Sequence, residues 1–226
     1  VSFTIHPELH IDCPDTTIKL CFEGTETILE IAETINEAIR KETVLRSEEN
    51  DTDKMARFSD AKVTVLENGP IRSAVKVVSR YNDSVLTQYF SLEAGNPKLI
   101  VRANIDWHEK HKMLKLRFPT VYNTDPHAFY EIPYGSFERP GDGEEEPGQG
   151  WIAVKEGSEG VALLNDNKYS FSIRENQLNL SVCRSPYYID HARGDQEDGE
   201  SEFTDQGEQT FRYGVRPLTQ WGELTQ

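Results

Sequence analysis

One stretch of the sequence carries side chains suited to binding a neutral sugar. The segment RSPYYID, residues 184–190, follows directly on a predicted strand, and Arg193 comes three residues later. The guanidinium of Arg184 and the carboxylate of Asp190 can hydrogen-bond sugar hydroxyls, and the ring of Tyr188 can stack on a pyranose face. The same residues also fit a loop that an internal Arg–Asp pair holds over packed tyrosines. The sequence leaves both interpretations open, and the candidate substrate-binding residues are Arg184, Tyr188, Asp190 and Arg193.

The other motifs in the sequence do not indicate a catalytic site or a metal site. His108 and His111, in the run HEKH, lack the HExxH spacing that places two imidazoles on one helix face. A solvated polar turn fits them better than a metal site, because no third ligand lies near in sequence. The chain also lacks a GxSxG elbow, a GxxxxGK[ST] loop and a GxGxxG turn. We therefore assign no catalytic residue and no metal ligand.

The net charge limits which partners the chain can bind, and the cysteine content indicates the cellular compartment that it suits. The net charge is −15, whereas nucleic acids and anionic membranes are bound mainly through Lys and Arg. We therefore expect neither partner, and no apolar run approaches the roughly 20 residues of a membrane helix. The cysteines Cys13, Cys21 and Cys183 lack CxxC spacing, which favours a reducing, cytoplasmic environment, although a Cys13–Cys21 bridge stays open.

The elements that must position the candidate loop are predicted to be strands. Residues 97–119, PKLIVRANIDWHEKHKMLKLRFP, alternate apolar and polar side chains on both sides of a charged tip. Alternation with a period of two marks strands that are buried on one face. Because the tip residues 109–112, EKHK, are costly to bury together, we interpret them as the exposed turn of an antiparallel hairpin.

Further strand patterns surround this hairpin. They cover Lys62–Leu66, Ile71–Tyr81, Val85–Leu92, Val161–Leu164, Tyr169–Ile173, Leu178–Val182 and a last strand around Thr210–Val215. Turns rich in Gly, Asn, Asp and Pro separate them, which is typical of a β-sandwich or barrel. Residues 1–24 add two short strands, and residues 141–150 are interpreted as an exposed loop.

One amphipathic helix is predicted near the N-terminus, over residues 27–40. Isoleucine and alanine recur there at helical spacing on one face, and the start of the helix carries a capping-box pattern. The acidic run SEENDTDK, residues 47–54, has no periodicity and is interpreted as a linker. We therefore divide the chain into a strand–helix segment with its linker, residues 1–57, and a β-sandwich domain, residues 58–226.

Six segments follow one another in an order that is typical of a known domain. They are VTVLENGPIRSAVKV (63–77), IDWHEKHKMLKLRFP (105–119), YEIPYGSFERP (130–140), GVALLNDNKYSF (160–171), LNLSVCRSPYYID (178–190) and DQGEQTFRYGVRP (205–217). Together they resemble the C-terminal β domain of glycoside hydrolase family 38 α-mannosidases of the bacterial or cytosolic/vacuolar type. The resemblance implies a mainly β fold, an antiparallel β-supersandwich like that of galactose mutarotase.

The resemblance also implies an activity for the complete enzyme. Family members remove terminal α-linked mannose with retention of configuration, using an aspartate nucleophile and a zinc ion in a separate N-terminal barrel. No segment here resembles that barrel, so we expect a non-catalytic portion of the enzyme that is inactive alone and has no cofactor of its own. Its expected partners are the catalytic domain of the same enzyme and a mannose-containing oligosaccharide.

The resemblance reaches the candidate loop only loosely. Arg184 matches an arginine that contacts substrate in some members, and Asp190 and Arg193 lie in the same loop. The family often has His where Gln209 stands and Pro-His where Pro217-Leu218 stands.

Several alternatives stay open. The chain could be a free-standing carbohydrate-binding module, or a mutarotase-like epimerase with His127 and Glu131 as its acid and base. Residues 1–57 are either a segment from before the missing barrel or an insertion in the β domain. A homo-oligomer is also allowed.

Overall fold

A computed structural model of the chain describes residues 9–13, 16–20, 43–47, 55–120, 127–157, 159–174, 177–186, 188 and 202–218. These residues form seventeen strands, which are numbered in chain order. They are β1 (Leu9–Cys13), β2 (Thr16–Leu20), β3 (Thr43–Ser47), β4 (Met55–Arg57), β5 (Ser59–Asn68), β6 (Arg72–Tyr81), β7 (Ser84–Glu93), β8 (Leu99–Trp107), β9 (Lys112–Pro119), β10 (His127–Ile132), β11 (Gly135–Arg139), β12 (Glu146–Pro147), β13 (Trp151–Glu156), β14 (Glu159–Asn165), β15 (Ser170–Arg174), β16 (Gln177–Arg184) and β17 (Gly207–Leu218).

The strands of the described residues make two large sheets and one hairpin. The nine-stranded sheet has the order β11–β10–β13–β14–β17–β8–β7–β6–β5, and the six-stranded sheet has the order β12–β15–β16–β9–β3–β4. The prediction of a mainly β, antiparallel fold is confirmed. The predicted helix over residues 27–40 lies outside the described residues.

The apolar faces of the two sheets share one core. In β8 the inward residues are completely buried, and they are Val101, Ala103, Ile105 and Trp107. They belong to the same hydrophobic cluster as Leu114 of β9 and Leu180 of β16, which lie in the six-stranded sheet. Burying one large apolar side chain contributes about 1.5–3 kcal/mol, so this face is where the sandwich gains most of its stability.

The predicted hairpin over residues 97–119 is wrong. Strand β8 pairs with β7 and β17 in one sheet, whereas β9 pairs with β16 and β3 in the other. Alternation reports that one face of a strand is buried, but it does not report which strand lies beside it. Residues 108–111 therefore carry the chain from one sheet to the other instead of turning it back on itself.

The region from residue 127 to residue 157 contains strands that the sequence pattern did not reveal. Strands β10, β11 and β13 complete one side of the nine-stranded sheet. The predicted exposed loop over residues 141–150 is exposed at half of its positions, and it includes β12, whose Glu146 pairs with Phe171 of β15. These strands are short and lie between Gly- and Pro-rich segments, which obscures their period.

The N-terminal segment contributes to the same architecture. Strands β1 and β2 form a hairpin, as the pattern of two short strands predicted. Strands β3 and β4 pair with each other, and β3 also pairs with β9 of the six-stranded sheet. The division of the chain at residue 57 stays a prediction, and most of the predicted linker lies outside the described residues.

Several connections meet at one end of the sandwich, called the crossover end below. They are the β6–β7 turn (82–83), the β8–β9 connection (108–111), the β14–β15 connection (166–169) and the described residues of the β16–β17 connection (185, 186, 188 and 202–206). The pairing registers place them together, because the start of β7 and the start of β17 both lie beside the end of β8. The crossover end therefore holds the candidate loop.

Candidate functional site

Arg184 is the last residue of β16, and its backbone is held on both sides. Its N–H donates to the Asp205 Oδ2 atom at 2.8 Å, and its carbonyl accepts from the Thr204 hydroxyl at 2.8 Å. The residue itself is exposed. The Arg184 side chain therefore projects from a fixed point of the backbone toward solvent.

Ser185 fastens the loop to the β8–β9 connection. The residue is completely buried. Its N–H donates to the carbonyl of Lys112 at 2.9 Å, and its own carbonyl accepts the N–H of His111 at 2.8 Å. The Ser185 hydroxyl also donates to the Lys112 carbonyl, at 3.1 Å. The chain direction after Arg184 is thus set by contacts to a different part of the sequence.

Tyr188 is presented to solvent. Its side chain is 69% exposed, while its N–H donates to the Glu202 carbonyl at 2.7 Å. An aromatic ring on an ordered backbone is a suitable platform for stacking against an apolar sugar face. The alternative of tyrosines packed beneath the loop therefore does not describe Tyr188. Asp190 and Arg193 lie outside the described residues.

Glu109 is the residue at this end that the sequence interpretation placed wrongly. It was expected in an exposed turn, but it is only 4% exposed. Its carboxylate accepts from the Asn82 amide and the Ser84 hydroxyl, each at 3.0 Å, and lies 3.5 Å from the Lys112 ammonium. Hydrogen bonding and ion pairing offset the cost of burying a charge, and the two hydrogen-bond donors lie about 25 residues away in sequence.

The histidines of the HEKH run make different contacts. His108 Nε2 lies 2.8 Å from Asp106 Oδ1, with both side chains partly exposed. The His111 ring makes an edge contact with the ring of Phe203, with centroids 5.0 Å apart. Across the described ranges, no group of three or more His, Cys, Asp or Glu side chains could hold a metal ion. The described residues therefore provide no set of ligands for zinc.

A second polar group lies beside the loop, and no sequence motif pointed to it. The Lys168 ammonium donates to the Gln209 Oε1 atom at 3.0 Å. Burial lowers the pKa of the Lys168 amine, against the opposing influence of Cys183 and Asp205. Burial, together with the charge of Asp205, raises the pKa of the Cys183 thiol to about 12. The thiol is therefore protonated and unreactive at neutral pH.

The pair suggested for epimerase chemistry does not share a site. His127 Nδ1 pairs with the Glu138 carboxylate, whereas Glu131 accepts the N–H of Gly150 at 2.6 Å. Both residues lie on β10 four positions apart, a separation of about 13 Å along a strand. The two side chains are therefore committed to different partners.

No helix in the described part of the chain is long and apolar enough to cross a membrane. The predicted absence of a membrane partner rests on the charge argument above.

Comparisons with known proteins identify the family. Residues 43–195 match the family model of the glycosyl hydrolases family 38 C-terminal domain. Alpha-mannosidase 2C1 of Mus musculus is 34% identical over 143 residues, which cover 60% of this chain and 13% of that protein. Alpha-mannosidase G of Dictyostelium discoideum is 30% identical over 167 residues, which cover 68% of this chain and 14% of that protein.

A solved structure shows the same fold. A protein of glycosyl hydrolase family 38 from Enterococcus faecalis superposes with a TM-score of 0.64 at 16% identity, covering 81% of this chain and 27% of that one. The chain spans about one seventh of the length of the two relatives described above. The family match extends over well over half of the chain, so the chain belongs to glycosyl hydrolase family 38, and residues 43–195 correspond to its C-terminal domain.

Proposed function

We propose that this chain is the non-catalytic β-sandwich portion of a retaining, zinc-dependent α-mannosidase that acts on terminal α-linked mannose. In this proposal the sandwich packs on the catalytic domain of the same enzyme, and its crossover end contributes one wall of the substrate pocket. The residues proposed to contact substrate are Arg184, Tyr188, Asp190 and Arg193. The names of the relatives, each an alpha-mannosidase, support the substrate class.

The observation that carries the proposal is the way Arg184 and Tyr188 are held. The backbone of each makes hydrogen bonds to residues 202–205, while each side chain is exposed. A guanidinium supplies several donors in a fixed plane, and an aromatic ring supplies a stacking surface. Groups whose backbone is already held lose less conformational entropy when they bind a sugar.

The catalytic groups are proposed to lie elsewhere. The nucleophile, the acid–base residue and the zinc ligands would belong to the catalytic domain, where the metal would supply Lewis-acid stabilisation of charge. The residues of this chain would orient the sugar and exclude water from one side of the pocket. We place the enzyme in the cytoplasm, consistent with few cysteines, and leave open whether it forms a homo-oligomer.

Kinetics of the complete protein, meaning this domain together with the catalytic domain, test the proposal. We expect Arg184→Ala to raise KM for an aryl α-mannoside about tenfold, since one charged hydrogen bond is worth about 1.5–3 kcal/mol, with kcat within about twofold. Arg72→Ala is the matched control, because Arg72 is half exposed at the opposite end of the sandwich and should leave KM unchanged. An unchanged KM in the Arg184→Ala variant would contradict the proposal.

The exposed ring of Tyr188 also suits a second candidate, a free-standing carbohydrate-binding module. The two functions differ in whether the isolated chain binds sugar. Calorimetric titration of the chain with mannose and mannobiose separates them. A wall that needs its catalytic domain should give no measurable heat, whereas an independent module should give a saturable isotherm that Tyr188→Ala abolishes.

A further inference from the structure

We infer that Glu109 is a positioning residue, whose buried carboxylate fixes the end of β16 that carries Arg184 against the nine-stranded sheet. The consequence for substrate binding rests on the function proposed above. The positioning of Arg184 by Glu109 depends only on hydrogen bonds and an ion pair at the crossover end.

The first step is that the Glu109 carboxylate is held by donors that the rest of the fold provides. Both of its oxygens are bonded, Oε2 by the Asn82 amide and Oε1 by the Ser84 hydroxyl. The Ser84 hydroxyl in turn accepts the N–H of His108 at 3.0 Å. The start of the β8–β9 connection is thereby tied to the β6–β7 turn through one buried carboxylate.

The second step is that two routes lead from Glu109 to Arg184. Along one route the Glu109 carboxylate pairs with Lys112, whose carbonyl accepts two hydrogen bonds from Ser185. Along the other, the Gln206 amide donates to the Glu109 carbonyl at 2.9 Å and to the Thr204 carbonyl at 3.0 Å. The segment 204–205 then holds the Arg184 backbone.

The third step concerns backbone strain. Five non-glycine residues among those described have positive φ, and three of them lie at the crossover end: Asn82 at 47°, His111 at 53° and Asp205 at 56°. Such conformations cost free energy and persist only where surrounding contacts enforce them. Asn82 donates directly to the Glu109 carboxylate, while His111 and Asp205 make hydrogen bonds to Ser185 and Arg184, so releasing the carboxylate should let this region relax.

Site-resolved hydrogen exchange of the 226-residue chain tests the anchor. Glu109→Gln keeps the size of the side chain but removes its charge and turns one acceptor into a donor. We expect the amides of His111, Ser185 and Thr204 to exchange about tenfold faster, while amides of β7 and β8 change by less than about twofold. Glu67→Gln, at an exposed ion pair at the other end of the sandwich, is the matched control and should change none of them.

A second variant keeps the test decisive if Glu109→Gln does not fold. Asn82 has a positive φ, so Asn82→Gly keeps the backbone conformation of the turn while removing one donor to the Glu109 carboxylate; it should fold and should speed exchange at His111 and Ser185. Unchanged loop amides in the folded variants would overturn the inference. A uniform increase that includes β8 would also overturn it, since that would report a loss of global stability.

Kinetics separate this inference from the proposed function. In the complete protein, Glu109→Gln should raise KM in the same direction as Arg184→Ala and leave kcat within about twofold. If Arg184→Ala raises KM and Glu109→Gln does not, the positioning role is wrong while the proposed function stands. If Arg184→Ala has no effect, the proposed function is wrong, and the exchange data alone decide whether Glu109 anchors the loop.

Discussion

The interior of the sandwich and the few buried polar residues at its crossover end are held by different forces. The interior is made of apolar side chains from both sheets, such as Ile105 and Leu114, which need only exclude water. The crossover end is made of polar groups, such as Glu109 and Ser185, whose burial requires specific partners. Hydrophobic burial does not depend on the orientation of the side chains, whereas each bond in a buried hydrogen-bond network requires a donor and an acceptor in a fixed geometry.

Because of this difference, we expect substitutions in the interior to lower the stability of the domain and substitutions at the crossover end to alter the connections that hold the proposed site. Loss of an apolar contact in this interior lowers the stability of the whole sandwich, because strands of both sheets share the core. Loss of one hydrogen bond at the crossover end acts first on the connections it joins. The four predictions below follow this division from the largest effect to the smallest.

The largest effect is expected in the interior. Ile105→Ala removes a completely buried side chain and should lower the free energy of unfolding by about 2–5 kcal/mol. Ile71→Ala is the same substitution at a side chain that is 79% exposed, and it should cost less than about 0.5 kcal/mol. Urea unfolding followed by circular dichroism measures both. Equal losses of unfolding free energy at the two positions would contradict the assignment of Ile105 to the stabilising core.

An intermediate effect is expected at the crossover end. Ser84→Ala removes a donor to the Glu109 carboxylate and the acceptor of the His108 N–H, so it should cost about 1–3 kcal/mol. Ser91→Ala also removes one hydroxyl bond, to the carbonyl of Ile100, but at a half-buried site, and it should cost less. The same urea experiment ranks the two, and a larger cost for Ser91→Ala would contradict the role assigned to the buried network.

The next effect is absent at neutral pH and appears only at alkaline pH. Burial raises the pKa of the Cys183 thiol to about 12, above its value of roughly 8.5 in an unfolded chain. The unfolded state therefore ionises first, and the contribution of this group is lost as pH rises from about 9 toward 12, by at most about 1.4 kcal/mol per pH unit. Cys183→Ala should flatten the fall in stability between pH 8 and pH 10.5. If the free energy of unfolding falls with pH equally in the variant and the parent chain, burial does not raise the pKa of the Cys183 thiol.

The smallest effect on stability is expected at the proposed contact residue. Arg184 is exposed, and the two hydrogen bonds described above are made by its backbone atoms and persist in an alanine variant, so Arg184→Ala should change the free energy of unfolding by less than about 0.5 kcal/mol. Thermal unfolding of the chain checks this. A large loss of stability would place Arg184 in the scaffold rather than in the binding surface.

The same division separates what the sequence could predict from what it could not. Alternation located β6, β7, β8 and β16 closely, because one face of each strand packs on the core. It could not assign β8 and β9 to different sheets, since both strands bury one face whatever their neighbour. Pairing of strands depends on contacts between distant segments, such as β8 with β17.

At the candidate site, the sequence indicated one residue, Arg184, and missed the contacts of another, Glu109. The loop beginning at Arg184 was found from residue types at a strand end, and the structure shows the backbone of Arg184 itself bonded to Thr204 and Asp205. Glu109 was expected in an exposed turn, because its neighbours in sequence are charged. Its burial depends on Asn82 and Ser84, which approach it only in the folded chain. Local sequence carried no signal for these partners.

Turnover of an aryl α-mannoside by the isolated 226-residue chain tests the central claim most directly. If the chain is a scaffold that shapes a pocket completed by a separate catalytic domain, product release should equal the buffer blank, with or without added zinc. Hydrolysis above the blank that follows the purified chain through chromatography would contradict this account, because the catalytic groups would then lie in this polypeptide.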